Sequence, residues 1–267
     1  MPRFSKTESA DGTAIAYETH GEGEPLVYIT GAICHRGFAP VRKGAKIIGR
    51  HFRVFSYDRR GRGDSTDTQP WSLEREIDDV AAVIDAAGGS AVIYGHSSGA
   101  VLAFHAAARL PDKVRAVVLY DAPWVADNAD ADEYAGLRAE VEALLDRGKN
   151  GAAIRKFLVG IGMPKPFAYL LPVMPGWRRI AALAPTLRYD LALTAGTPPL
   201  DVATQIGVPV HVMVGERSPK QLHRVAAALA GDIPGATHEI VAGQDHMVSE
   251  KLLLPALRRH LSPTTIW

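Results

Sequence analysis

Cysteine is almost missing from this chain. Cys34 is the only one in 267 residues, so no disulfide can close within the chain and a metal–thiolate cluster is excluded. An excess of one charge is missing too. Thirty Lys and Arg face 29 Asp and Glu, leaving a net charge of +1 at neutral pH with no long basic or acidic block. That balance predicts no nucleic-acid partner and no anionic membrane surface. No apolar run approaches the roughly 20 residues needed to span a bilayer. Met1 to Glu8 is polar and lacks an apolar signal core, so a cytoplasmic location is expected.

What is present is enough for one large core. The chain is 47% hydrophobic and 22% charged, which suits a single domain or a core with an inserted subdomain. Thr13 to Glu18 alternates apolar and polar residues and reads as an edge-type strand. Gly21 to Pro25 is a turn. Short apolar runs at Leu26–Ile29, Phe52–Tyr57, Ala91–Tyr94, Val114–Tyr120, Val208–Val214 and His238–Val241 read as further strands. Between them lie helical patterns over Pro40–Gly49, Leu73–Ala87, Ala100–Ala108, Pro219–Ala230 and Ser249–Leu261, with Ser72 as a candidate N-cap.

Strands alternating with helices predict an α/β fold, a mainly parallel, doubly wound sheet. One region breaks the rhythm. Residues 123–199 hold no convincing strand, but contain helical stretches at Asp132–Asp146, Gly151–Val159 and Arg178–Leu193 and many prolines. The expected division is a core of residues 1–122 and 200–267, with a helical cap of residues 123–199. Trp124, Met163 and Trp177 of the cap are candidates for the wall of an apolar substrate cavity.

Gly95-His96-Ser97-Ser98-Gly99 is the most specific segment. It follows an apolar strand and opens a strong helix, the context in which G-x-S-x-G means a nucleophile elbow. A serine on such a turn projects its hydroxyl clear of the sheet. The flanking glycines make room where strand and helix nearly touch. The helix that begins at Ser98 aims its first N–H groups at developing negative charge.

These pieces together resemble the α/β-hydrolase fold family over nearly the whole length. They are the elbow, the apolar strand ending at Thr30-Gly31, the turn Asp58-Arg59-Arg60-Gly61-Arg62-Gly63-Asp64-Ser65, and Gly243-Gln244-Asp245-His246. The resemblance implies a scaffolding role for the Arg-rich turn and an oxyanion hole from the backbone N–H groups of Ser98 and Ala32, with Gly31 beside them. Haloalkane dehalogenases and epoxide hydrolases of this fold carry Asp at the elbow, so Ser97 argues against both.

A serine hydroxyl needs an adjacent base. Of ten histidines, His246 follows the last strand, where the family places its base. His96 is expected to be structural, His105 and His211 to sit in a helix and a strand, and His35, just past the oxyanion loop, to touch substrate. The acid is open. The family's usual Asp after the seventh strand is Ser218 here, in Gly215-Glu216-Arg217-Ser218. Asp121, at the end of the sixth strand, and Glu216 are the two replacements. Asp121 corresponds to the Glu of fungal zearalenone lactone hydrolases, which also have G-x-S-S-G and lack an acid after strand seven.

The expected activity is cleavage of a carboxylic ester or lactone of a medium-sized apolar substrate through an acyl-enzyme on Ser97, with no cofactor and no metal. The same triad also serves carbon–carbon hydrolysis, perhydrolysis and acyl transfer. A non-catalytic ligand-binding member of the fold is the reading of a different class. A homodimer is compatible with the chain.

Overall fold

Strand segments that are apolar on both faces need cover on both faces. The computed structural model, which describes residues 4–261, supplies it. Eight strands form one sheet: β1 (Ser5–Glu8), β2 (Ala14–His20), β3 (Glu24–Ile29), β4 (Phe52–Tyr57), β5 (Ala91–His96), β6 (Val114–Tyr120), β7 (Val210–Gly215) and β8 (Thr237–Val241). Their order across the sheet is β1-β2-β4-β3-β5-β6-β7-β8. β1 and β2 run antiparallel; every pairing from β4 to β8 is parallel.

The strands divide their side chains by the two-residue period. Val27, Ile93, Val117, Leu119 and Val212 enter a cluster shared with α2 (Leu73–Ala86), α3 (Ser98–Arg109) and α10 (Lys220–Asp232). Leu26, Val92, Tyr94, Val118 and Met213 point the other way, onto α1 (Ala39–Ile48) and α11 (Glu250–Leu261). Helices therefore lie on both faces, as a doubly wound sheet requires.

Between β6 and β7 the chain leaves the sheet and forms α4 (Asn128–Asp146), α5 (Asn150–Gly160), α6 (Lys165–Leu170), α7 (Trp177–Ala182), α8 (Leu187–Leu193) and α9 (Leu200–Ala203). A third cluster, built on Val141, Ile154, Phe157, Leu187 and Leu191, is this insertion's own core.

Several boundaries differ from the sequence reading for physical reasons. The helix expected over Arg178–Leu193 is broken into α7 and α8 by a 3-10 turn at Ala184–Thr186. Pro185 lacks the N–H that a continuous helix needs. Helix α4 starts earlier than expected because Asp127 caps it, accepting from the Asp130 N–H at 3.0 Å. β1 has no apolar signal, and pairing it with β2 moves β2 one place in from the edge. Ser72 does cap α2, accepting from the Arg75 N–H at 3.3 Å.

Candidate active site

Three residues other than glycine have positive φ among those described, and all three follow strands of the sheet's centre: Ile33 (49°) after β3, Ser97 (57°) after β5 and Asp121 (50°) after β6. Such backbone is costly, most of all for β-branched Ile33, and clusters where function demands it. Strained backbone therefore follows the carboxyl ends of β3, β5 and β6, three adjacent strands.

At the elbow, packing makes the glycines obligatory. A Cβ on Gly95 would lie 2.7 Å from both the Ala100 Cα and the Ala103 Cβ. One on Gly99 would strike the Ile29 carbonyl and lie 2.7 Å from the Thr30 oxygen. One on Gly31 would stand 2.8 Å from the Ser97 Cβ and 3.3 Å from its Oγ. The backbone of Gly31-Ala32 thus runs directly against Ser97, and Ser97 itself is the N-cap residue of α3.

Beside the elbow, His246 Nδ1 meets Asp121 Oδ2 at 3.0 Å. The carboxylate can only accept there, so Nδ1 carries the proton and Nε2 is left free. Asp121 is 1% exposed. Its Oδ2 also accepts from the Ser218 hydroxyl at 2.6 Å, and its Oδ1 from the Gly215 N–H at 3.1 Å. Ser218, which stands where the family usually has its acid, is thus a donor to the Asp121 carboxylate. Glu216, the other candidate acid, is turned outward and accepts from the Gly243 N–H at 2.7 Å. No hydrogen bond joins Ser97 Oγ to His246 among the described residues.

The loop that carries His246 is fixed from beneath. His96 Nε2 donates to the His246 carbonyl at 2.7 Å, and the Tyr120 hydroxyl donates to the Asp245 carbonyl at 2.6 Å. Burial pushes His96 down to about 4, so its ring stays neutral at neutral pH. His96 is structural, as expected, and the tautomer follows from its carbonyl partner. His211, also as expected, is a sheet residue, bound to Thr237 Oγ1 at 2.7 Å.

On the other side of the elbow, the Arg-rich turn forms a buried ionic cluster. Arg59 pairs with Glu76, donating from Nε at 2.7 Å and Nη2 at 2.9 Å. Its Nη1 donates to Asp190 on α8 at 2.8 Å. Arg62 also donates to Asp190, at 2.7 Å, and its second nitrogen donates to the Gly31 carbonyl at 2.7 Å. The Ser98 hydroxyl completes the set, donating to Asp190 at 2.7 Å. Burial alone would raise the Asp190 carboxyl, but Arg62, Arg59 and Ser98 outweigh it and hold it below its ordinary range. One carboxylate of the insertion is therefore tied to the elbow helix and, through Arg62, to the loop that faces Ser97. The composition does carry a trace of Asp190: it is the first acidic residue after Asp146.

The residues expected to bind substrate separate into three groups. Met163 and Trp177 pack on the insertion's own cluster, against which Ala32 and Ile33 also pack. His35 follows that loop; its Nδ1 accepts from the Gly37 N–H at 3.2 Å, and burial lowers its pKa. Trp124 is placed elsewhere. It is buried in the core, edge-on to Phe104 at 5.1 Å, a packing residue and not a cavity wall. One cavity, of about 70 Å³, lies on the α1–α11 side and is bordered by Gly31, His96, Tyr94, Phe38 and Met247. None of the four candidates lines it. Cys34 borders it, and burial pushes its thiol up to about 11, which keeps it protonated and unreactive.

The profile of the alpha/beta hydrolase family matches residues 26–251, and the chain belongs to that family. A solved structure of an alpha/beta hydrolase from Sphaerobacter thermophilus is 37% identical and superposes with a TM-score of 0.84, covering 96% of this chain and 99% of that one. A 2-(acetamidomethylene)succinate hydrolase of Mesorhizobium japonicum is 29% identical over 76% of this chain and 75% of its own. The enol-lactonase of Burkholderia xenovorans, 20% identical with a TM-score of 0.72, covers 96% of this chain and 99% of its own and shares the fold. The matches to three other curated relatives span only 25%, 39% and 26% of those proteins' length. No helix among the described residues is long and apolar enough to cross a membrane.

Proposed function

We propose that this chain is a serine hydrolase that cleaves a carboxylic ester or lactone of a medium-sized, mostly apolar substrate. The observation that carries the reading is the pairing of His246 Nδ1 with buried Asp121, at 3.0 Å, beside a serine held at φ 57°. In this reading His246 Nε2 takes the proton of the Ser97 hydroxyl as Oγ attacks the carbonyl carbon. The negative charge that develops on the carbonyl oxygen is met by the Ser98 and Ala32 N–H groups. Asp121 holds the imidazole in its tautomer and stabilises its cation. His246 then returns the proton to the leaving alkoxide. Water, deprotonated by the same nitrogen, attacks the acyl-enzyme and frees the carboxylic acid.

The insertion serves as a cap in this account. The substrate enters between it and the carboxyl ends of β3, β5 and β6. The family membership and the esterase and lactonase folds among similar structures support the class of reaction, and both leave the substrate open.

The test is covalent. A fluorophosphonate ester should add its phosphonyl group to Ser97, seen as a mass shift on the peptide that carries it. Ser97→Ala should abolish the adduct and lower turnover of p-nitrophenyl esters by ~10⁴–10⁶. An unlabelled wild-type protein, or a Ser97→Ala variant that keeps its turnover, rules the mechanism out.

A further inference from the structure

The charge balance of the whole chain conceals a local asymmetry. From Arg147 to Tyr189 there are eight Lys and Arg and no Asp or Glu. Two of the eight are paired, Lys156 with Glu140 and Arg188 with Asp146. Arg147, Lys149, Arg155, Lys165, Arg178 and Arg179 form no ion pair among the described residues.

The same stretch carries the largest group of exposed apolar side chains. Of the ten large hydrophobic residues exposed among those described, six fall between residues 161 and 174. Val173 is 81% exposed, Tyr169 69% and Phe167 65%, with Leu170, Met174 and Ile161 beside them in sequence. Their neighbours Met163, Ala168, Leu171 and Trp177 point inward, onto the insertion's core. The α6–α7 segment is thus apolar on its inner side and on its outer side, which a surface helix of a purely water-facing protein is not. Arg155 lies over the Tyr169 ring at 5.6 Å, and exposed Lys165, Arg178 and Arg179 flank the patch.

We propose that this face docks on an anionic phospholipid bilayer. Exposed aromatic and aliphatic side chains, flanked in sequence by cations that form no ion pair among the described residues, supply the two signals that stable peripheral attachment needs, apolar insertion and electrostatic attraction. A second copy of the chain fits this face poorly. Face-to-face contact would set Lys165, Arg178 and Arg179 of each copy against the same residues of the other, with no acid in the segment to compensate. The inner side of the segment packs on the cluster against which Ala32 and Ile33 also pack, so docking sets that cluster between the lipid surface and the loop beside Ser97. The proposal stands apart from the proposed serine chemistry.

Co-sedimentation of the full chain with vesicles tests it, using phosphatidylcholine alone or mixed with phosphatidylglycerol. Binding is expected only to the phosphatidylglycerol vesicles, and is expected to weaken as salt rises. Lys165→Glu/Arg178→Glu should lower partitioning by ~30-fold or more, at an unchanged melting temperature and unchanged hydrolysis of a soluble ester. Phe167→Ser/Val173→Ser should lower it as well. Ser97→Ala should bind like wild type, so a failure of the catalytic reading leaves this result standing. Equal binding to both vesicle types, binding to neither, or a dimer in solution that Phe167→Ser/Val173→Ser dissociates would each overturn the proposal.

Discussion

Asp121 and Asp190 are both buried carboxylates beside the same elbow, yet their surroundings are opposite in kind. Asp121 receives only the Ser218 hydroxyl, the Gly215 N–H and the His246 Nδ1–H. No Lys or Arg reaches it among the described residues. Asp190 receives two guanidinium groups and one hydroxyl. A carboxylate solvated by neutral donors keeps its charge uncompensated until the imidazole beside it gains a proton. A carboxylate between two arginines is compensated permanently. The first arrangement suits a group that must stabilise a cation formed during a reaction. The second suits a group that must hold shape, and what it holds is the insertion, the elbow helix and the Gly31 carbonyl.

The largest expected effect breaks the Asp121 side. Asp121→Asn should keep the fold and lower turnover by ~10⁴, because the amide favours the wrong imidazole tautomer. Glu216→Gln should change turnover by less than ~2-fold, since that side chain clips a turn at Gly243 and its loss costs one exposed hydrogen bond. Steady-state kinetics on one p-nitrophenyl ester decide between them. If Glu216→Gln is the damaging change, the assignment of the acid is reversed.

Asp190→Asn breaks the other side and should fail differently. Arg59 retains Glu76, but Arg62 loses its ion pair while buried. Leaving such a charge without its partner costs ~3–5 kcal/mol, a fall in melting temperature of about 10 °C for a chain of this size. Turnover should fall by a further ~10–100-fold in the protein that remains folded, as the Gly31 loop loses its tether. A variant with unchanged melting temperature would remove Asp190 from its structural role. One with a lowered melting temperature and full turnover would show that the tether does not reach the oxyanion loop.

The contrast between the two carboxylates also marks what could be read beforehand. The elbow was legible because strand, motif and helix are contiguous, and Gly95 and Gly99 are forced by contacts that the motif itself implies. His246 stands out as a candidate base from its place after the last strand. Asp121 stands out only as one of two candidate acids, because the contact that pairs it, and not Glu216, with His246 joins positions 125 residues apart. The Arg-rich turn read correctly as scaffolding, but its partner did not: Asp190 lies 131 residues from Arg59 and 128 from Arg62. Trp124 misled because an aromatic residue just past a strand end looks alike whether it faces a cavity or the Phe104 ring. β1 was invisible since a short polar edge strand has no burial to pattern it. Net charge is silent on distribution, since a sum of +1 cannot show that one stretch holds eight cations and no acid.

A smaller loss at Asp121 itself should sharpen the comparison most. Ser218→Ala removes one neutral donor, at 2.6 Å, from a carboxylate that has no cation to fall back on. A hydrogen bond to a charged group contributes about 1.5–3 kcal/mol, so turnover should fall ~10-fold or somewhat more. Around Asp190 the equivalent change, Ser98→Ala, leaves both guanidinium partners in place and should lower turnover by less than ~3-fold. If the two substitutions lower turnover equally, the neutral surroundings of Asp121 do not set its chemistry, and the distinction between the two carboxylates fails.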